Sequence, residues 1–118
     1  MPKIVNFHLP ADDVARATAF YKDVFGWEFA PHPEAPETYH VHEGLGEGSA
    51  GIGAAITKRH DIVKAPVPTI EVEDIDQAML DIALKGGRQA RVQTIPGIGR
   101  FGYAMDSENN VIALLQRA

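Results

Sequence analysis

An internal repeat is the feature that most limits how this chain can fold. When the second half is placed over the first with an offset of 61 residues, four pairs of positions agree in residue character. The matched pairs are Asp13 with Asp74, Val14 with Ile75, Ala17 with Ala78, and Gly26 with Gly87. A repeat at a fixed offset indicates that each half forms the same supersecondary unit. We therefore predict two modules with the same order of elements.

The first half is predicted to form a strand, a helix and then three strands. Apolar residues alternate over residues 3–9 until Pro10, which we expect to end the strand. Apolar residues then recur at helical spacing, with Asp13 as the N-cap and Gly26 after the last turn. The three following strands are predicted at residues 27–30, 37–42 and 49–56.

The second half is predicted to follow the same order. After a strand at residues 67–72, a helix begins at Asp74, which with Gln77 resembles a capping box, and ends at Gly86 and Gly87. Strands are then predicted at residues 88–94, 101–105 and 111–116. The resulting single domain has a first module at residues 1–57, a linker at residues 58–66 and a second module at residues 67–118.

Composition narrows the functional classes. The chain has 118 residues, a formal charge of −5 and no cysteine, which is typical of one globular domain without disulfides, cysteine–zinc sites or thiol nucleophiles. Its Lys and Arg residues are scattered, which argues against nucleic acid as a partner. No apolar run is long enough to cross a bilayer, and the N-terminus lacks the pattern of a secretory signal. We expect a cytoplasmic protein without membrane contacts.

Three stretches carry a resemblance to a known family. The segments "ADDVARATAFYKDVFGWEF", "VEDIDQAMLDIALKGG" and "FGYAMDSENNVIALLQ" are similar to members of the vicinal oxygen chelate superfamily, which contains glyoxalase I, bleomycin-resistance proteins and extradiol dioxygenases. The resemblance implies an α+β fold in which two βαβββ modules form a curved mixed sheet with a concave cavity. It also implies a homodimer, because modules of this family commonly pair across subunits.

The resemblance further implies four positions at which metal-dependent members hold a divalent ion, two on each module. In this sequence, the first-strand positions fall on Asn6 and Val67, and the last-strand positions fall on Ala113 and, by the repeat offset, Ile52. One neutral amide and three apolar side chains cannot hold zinc, nickel or iron. We therefore predict neither the family's metal site nor any other cofactor.

A cavity lined in this way suits a small organic ligand. Residues two positions away share the same face of a strand, so His8, Thr69 and Leu115 are predicted to point into the cavity as well. His8 is a candidate general base, although a lone histidine is also commonly a packed, hydrogen-bonded side chain. The predicted ligand-binding residues are Asn6, Ile52, Val67, Thr69, Arg100, Tyr103, Ala113 and Leu115.

The segment "PGIGRFG" places Gly97, Gly99 and Gly102 in a spacing that cradles a pyrophosphate in dinucleotide-binding folds. Here the segment leads into a strand rather than a helix, which favours a flexible hairpin at the mouth of the cavity. Arg100 and Tyr103 would close over a ligand there, with a surface position as the other interpretation of Arg100.

An alternative metal site is predicted from "YHVHEG". His40 and His42 lie two residues apart on one face of a strand, with Glu43 and Glu47 nearby in the sequence, and His8 is a candidate third imidazole ligand. The competing interpretation is an exposed, solvated strand face.

Two classes of function remain. In the first, the protein acts on or binds a small organic metabolite without the family's usual metal, with His8 as base and Asn6 as the polar group that orients the ligand. In the second, it sequesters a drug or antibiotic without catalysis. A metal-dependent lyase or dioxygenase with non-standard histidine ligands is a further alternative, whereas glyoxalase I chemistry needs the metal ligands that this sequence lacks.

Overall fold

A computed structural model describes residues 2–33, 39–42 and 52–118, and it confirms the predicted α+β class. The strands are β1 (Lys3–Ala11), β2 (Ala30–Pro31), β3 (Tyr39–His42), β4 (Gly53–Lys58), β5 (Val67–Glu71), β6 (Arg88–Ile95), β7 (Gly99–Met105) and β8 (Val111–Arg117). The helices are α1 (Val14–Phe25) and α2 (Ile75–Leu84). The chain divides into a first unit, Asn6–Pro66, and a second unit that joins Val67–Ala118 to the start of β1.

In the first unit, α1 covers one face of a mixed sheet with the strand order β2-β3-β4-β1. As predicted, Asp13 caps α1 by accepting a hydrogen bond from the backbone N–H of Arg16 at 3.0 Å, and Gly26 ends the helix in the left-handed conformation at φ 74°. The helix packs through Val14 against Ala11 and Ile56 of the sheet, and Leu9, Ala17, Tyr21 and Phe29 border this cluster.

The two faces of β1 therefore carry different residues. Leu9 and Ala11 belong to the cluster under α1, so the alternation of side chains places Asn6 and His8 on the opposite face. The prediction that Pro10 ends the strand is wrong, because β1 continues through Pro10 to Ala11 and pairs with β4. A proline is tolerated at strand positions whose nitrogen donates no ladder hydrogen bond.

In the second unit, α2 covers one face of a mixed sheet with the order β5-β8-β7-β6. Asp74 caps α2 as predicted, accepting from the Gln77 N–H at 3.1 Å. The reciprocal half of the capping box is absent, because the Gln77 side chain donates to Asp81 at 3.0 Å instead. Buried residues from α2 and the sheet form the core: Ile75, Met79, Ala104 and Leu114.

The pairing of first and last strands corrects the repeat offset. In the second unit Thr69 pairs with Ala113, whereas in the first unit the equivalent residue, His8, pairs with Ala55. The first module is thus three residues longer between these positions, and the counterpart of Ala113 is Ala55 instead of Ile52. Ile52 precedes β4 and is 49% exposed, so its prediction as the last-strand cavity residue is wrong.

The glycines of "PGIGRFG" are explained by the β6–β7 hairpin. Gly97 lies in the turn at φ 79°, and Gly99 opens β7 at φ 138°, where a Cβ atom would overlap the carbonyl oxygen of Gln116. At Gly102 a Cβ atom would lie 2.9 Å from Cγ2 of Val92. The spacing therefore serves the hairpin, as the strand context predicts, and does not form a phosphate cradle.

The helices of the described ranges are all too short or too polar to cross a lipid bilayer.

Candidate ligand-binding site

Asn6 is the first polar residue on the β1 face opposite α1. Its side-chain oxygen is buried, and no hydrogen-bond partner for it is found among the described residues. A buried carbonyl without a partner destabilises the fold by about 1–3 kcal/mol. This oxygen is an acceptor that a ligand N–H or O–H group would satisfy.

His8 lies two residues further along the same face and is only 3% exposed. The pKa of His8 is lowered to about 4, mainly by burial and then by the nearby positive charge of His60 when it is protonated. The imidazole is therefore neutral at physiological pH, with one ring nitrogen that accepts and one that donates. Its low pKa makes it a weaker base than an ordinary histidine.

His60 is a residue that the sequence analysis missed. It lies in the predicted linker, and its Nδ1 accepts from the backbone N–H groups of Ile62 at 3.2 Å and Val63 at 3.4 Å. These two bonds place the proton of the neutral ring on Nε2. Nothing in the local sequence indicated a role for His60, because its effect on His8 depends on the tertiary fold.

The second module places four predicted cavity residues on one face. Val67 and Thr69 of β5 and Ala113 and Leu115 of β8 alternate with residues that contact α2, so they share the opposite face. All four are nearly closed to solvent, with exposed fractions of 2%, 1%, 0% and 5%. The hydroxyl of Thr69 is buried, with no hydrogen-bond partner in the described parts of the chain.

This hydroxyl gives a direct test of the site. We expect Thr69→Val to raise the free energy of unfolding by about 1 kcal/mol, because the substitution replaces a buried, unsatisfied polar group by a methyl of similar size. Urea unfolding monitored by circular dichroism measures the change. The matched control is Thr94→Val on exposed β6, which is expected to stay within about 0.5 kcal/mol of the wild type. A loss of stability in Thr69→Val would contradict the assignment of an unsatisfied hydroxyl.

Tyr103 of β7 lies on the same face, because it pairs with Ala113. Burial raises the pKa of its phenol, which keeps the hydroxyl protonated and able to donate. Its ring meets Phe101 edge to face at a centroid distance of 5.2 Å. Phe101 was missed as a residue of this face, although its position two residues before Tyr103 in a strand was a sufficient signal.

Arg100 does not lie beside Tyr103 as predicted. The two residues are three positions apart in β7 and therefore lie on opposite faces of the strand. Both terminal nitrogens of Arg100 bind the carboxylate of Asp76 at the start of α2, at 2.6 and 2.9 Å. The prediction that Arg100 and Tyr103 close together over a ligand is wrong, and Arg100 instead anchors the first turn of α2.

The four positions at which the resemblance implies metal ligands can now be corrected from the strand register. They are Asn6 and Ala55 in the first module and Val67 and Ala113 in the second. The register replaces Ile52 by Ala55, which is also apolar. The amide of Asn6 is therefore still the only polar side chain among the four positions. These residues do not fit a divalent transition metal. No cluster of three or more His, Asp or Glu side chains with metal-binding geometry occurs within the described ranges.

The alternative metal site of His8, His40 and His42 is also affected by the register. His40 pairs with Ile56, which belongs to the cluster under α1, whereas His8 lies on the opposite face. The prediction that His8 and His40 bind the same metal is therefore wrong, because their side chains lie on opposite faces of the sheet. The side chain of His42 and residues Glu43 and Glu47 lie outside the described residues.

Two sequence comparisons find proteins similar to this chain. A family model described as bleomycin resistance protein-like N-terminal matches residues 3–39. A glyoxylase-like domain-containing protein from Didymella fabae is 27% identical over 124 residues, which cover 98% of this chain and 94% of that protein.

Solved structures share the fold at low sequence identity. A hypothetical protein from Bacillus halodurans superposes with a TM-score of 0.73 at 7% identity, over 99% of this chain and 95% of that one. Methylmalonyl-CoA epimerase from Mycobacterium tuberculosis has a TM-score of 0.65 at 13% identity, over 98% and 87%. A Streptomyces coelicolor methylmalonyl-CoA epimerase variant in complex with 2-nitronate-propionyl-CoA has a TM-score of 0.67 at 16% identity, over 98% and 97%.

Proposed function

We propose that this chain, which is similar to a bleomycin-resistance-like family model and to a glyoxylase-like domain-containing protein, is a member of the vicinal oxygen chelate superfamily and binds a small organic metabolite without the divalent ion of metal-dependent relatives. The proposed site is the β1 face that carries Asn6 and His8. The observation that supports it most directly is the buried side-chain oxygen of Asn6, which has no partner among the described residues.

The chemistry of this face limits the class of ligand. Asn6 supplies an acceptor, His8 supplies a neutral imidazole, and Ala55 on the neighbouring strand supplies an apolar surface. A ligand that matches this face is mostly apolar and carries a hydroxyl or amide hydrogen for Asn6. If the protein is an enzyme, His8 is the residue that takes a proton from the bound molecule.

The probes for this proposal come from what similar proteins bind. The structurally similar methylmalonyl-CoA epimerases support a test with methylmalonyl-CoA, and the bleomycin-resistance-like family model supports a test with bleomycin. Catechol represents a small hydroxylated ring. Isothermal titration calorimetry measures the affinity for each probe, and product analysis after incubation separates turnover from sequestration.

The deciding variant is Asn6→Leu, which removes the acceptor and keeps the volume similar. We expect it to weaken binding of the recognised probe by about tenfold or more, since an unmade hydrogen bond to a buried group costs about 1–3 kcal/mol. The matched control is Gln89→Leu on exposed β6, which is expected to bind as the wild type does. Circular dichroism establishes that both variants are folded. Equal affinity of the Asn6→Leu variant and the wild type would contradict the proposed site.

We also propose that the protein is a homodimer, as the resemblance implies. Exposed large apolar side chains on the last turns of α1 support this proposal: Val24 and Phe25 are each more than half exposed. Sedimentation equilibrium measures the molar mass directly.

A further inference from the structure

A concave surface of the first unit lies on the other side of the sheet from Asn6 and His8. It is a cleft of about 380 Å³ between the end of β1, the first turns of α1 and Arg59. Leu9, Ala11 and Ile56 line it, and these residues face α1. The proposed function does not involve this cleft, because β1 turns its other face toward the Asn6 site.

The cleft has an apolar floor and an aromatic wall. Ala11 and Ile56 are 7% and 0% exposed, so the floor is already part of the core. The ring of Phe20 is 56% exposed and stands edge to face on Tyr21, with a centroid distance of 5.2 Å and an interplanar angle of 89°. An exposed ring fixed by a second ring offers a flat surface on which another aromatic group packs favourably.

A guanidinium that is not in direct contact with a carboxylate lies beside this wall. The side chain of Arg16 forms no ion pair or hydrogen bond with any residue that the structure describes. Its position in the first turn of α1 is unfavourable for a cation, because the helix dipole is positive there. The two acids of the cleft make other contacts: Asp13 accepts the capping hydrogen bond from the backbone N–H of Arg16, and Asp12 binds Arg59.

Arg59 provides a second donor at the cleft. Its Nε donates to Asp12 at 3.0 Å and its Nη1 donates to the carbonyl oxygen of Lys64 at 2.7 Å. These two bonds fix the plane of the guanidinium. Its Nη2 makes no hydrogen bond to the described residues and remains for an anion.

We propose that this cleft binds a small aryl carboxylate, with the carboxylate on Arg16 and Arg59 and the ring on Phe20. A carboxylate matches the geometry and charge of guanidinium donors. The volume of about 380 Å³ is near the lower end of ligand sites, which favours a molecule with a single ring.

Trp27 makes the cleft observable in solution. It is the single tryptophan of the chain, and its ring stacks on Tyr21 at 5.5 Å and 5°. Titration with phenylacetate is expected to change Trp27 fluorescence, and the backbone amide signals of Ala17 and Phe20 are expected to shift in NMR spectra. Phenylacetamide has the same shape without the charge. Its affinity is expected to be lower than that of phenylacetate by about tenfold or more.

Arg16→Gln removes the guanidinium that has no ion-pair partner and is expected to weaken phenylacetate binding by about tenfold. Arg91→Gln on exposed β6 is the matched control and is expected to bind like the wild type. The Asn6→Leu variant is also expected to bind phenylacetate normally, so failure of the Asn6 site and failure of the cleft are distinguishable.

Four results would overturn the proposal. They are an absence of phenylacetate binding, equal affinity for phenylacetate and phenylacetamide, unchanged affinity in Arg16→Gln, and amide shifts centred on Asn6 and His8. A fifth contradicting result is displacement of phenylacetate by inorganic phosphate at equal concentration. It would show that the aryl group does not contribute to recognition.

Discussion

The Gly99→Ala variant is expected to lose at least about 3 kcal/mol of its free energy of unfolding, because strained backbone and overpacking each cost about 1–3 kcal/mol. Gly99 has φ 138°, which side-chain-bearing residues rarely adopt, and a Cβ atom there would overlap the carbonyl oxygen of Gln116. Both penalties involve backbone atoms, so no rotamer change relieves them. Urea unfolding measures the loss, and an insoluble variant is the extreme form of the same result.

Gly97→Ala is the matched control for this prediction. Gly97 also has a positive φ, 79°, but nothing lies within 4 Å of the Cβ position. We expect it to lose only about 1 kcal/mol, which is the cost of the left-handed conformation alone. Equal losses in the two variants would show that the close approach of Gly99 to β8 is not what requires a glycine.

The second large effect is a loss of stability in mild acid that depends on His8. Folding lowers the pKa of His8 from 6.5 to about 4, so the unfolded chain binds the proton first as the pH falls. Stability is then fully present above pH 6.5 and is lost as the pH falls from there toward 4. We expect the free energy of unfolding to be about 2 kcal/mol lower at pH 5 than at pH 7 because of this residue.

Urea unfolding at both pH values, in the wild type and in His8→Gln, isolates this contribution. The variant is expected to lose most of the pH dependence in this window, and His32→Gln is expected to retain it. Asp76 and Asp106 have pKa values lowered by hydrogen bonds from Arg100 and Asn110, so their loss of stability begins at lower pH. An unchanged pH dependence in His8→Gln would show that the buried imidazole is not the group responsible.

The fold was predictable where the signals are local. Asp13 and Gly26 bound α1 because capping depends on a few neighbouring residues, and the same holds for Asp74 at the start of α2. The register of β4 was not predictable in this way. Which residue faces His8 is set by pairing across the sheet, and the repeat offset selected Ile52 where the structure has Ala55.

The faces on which the site residues lie were predictable, whereas their role in binding a ligand stays a prediction. The strand period places Asn6 and His8 on one face of β1, but the near-complete burial of Thr69 depends on tertiary packing that no local pattern encodes. Arg100 is a different kind of error. The strand period of two already separates it from Tyr103, so its placement on the α2 side was available from the sequence.

The unequal spacing of the two modules bears on how this protein tolerates insertions and deletions. Since three additional residues lie between the paired positions of β1 and β4, the connecting chain absorbs length differences without a change in strand pairing. A single deletion inside β4 has the opposite effect, because it would turn Ala55 and every residue on one side of the deletion to the other face. Insertions and deletions are therefore expected to be tolerated in the loops that connect the elements from β1 to β4. The strands themselves must keep their length.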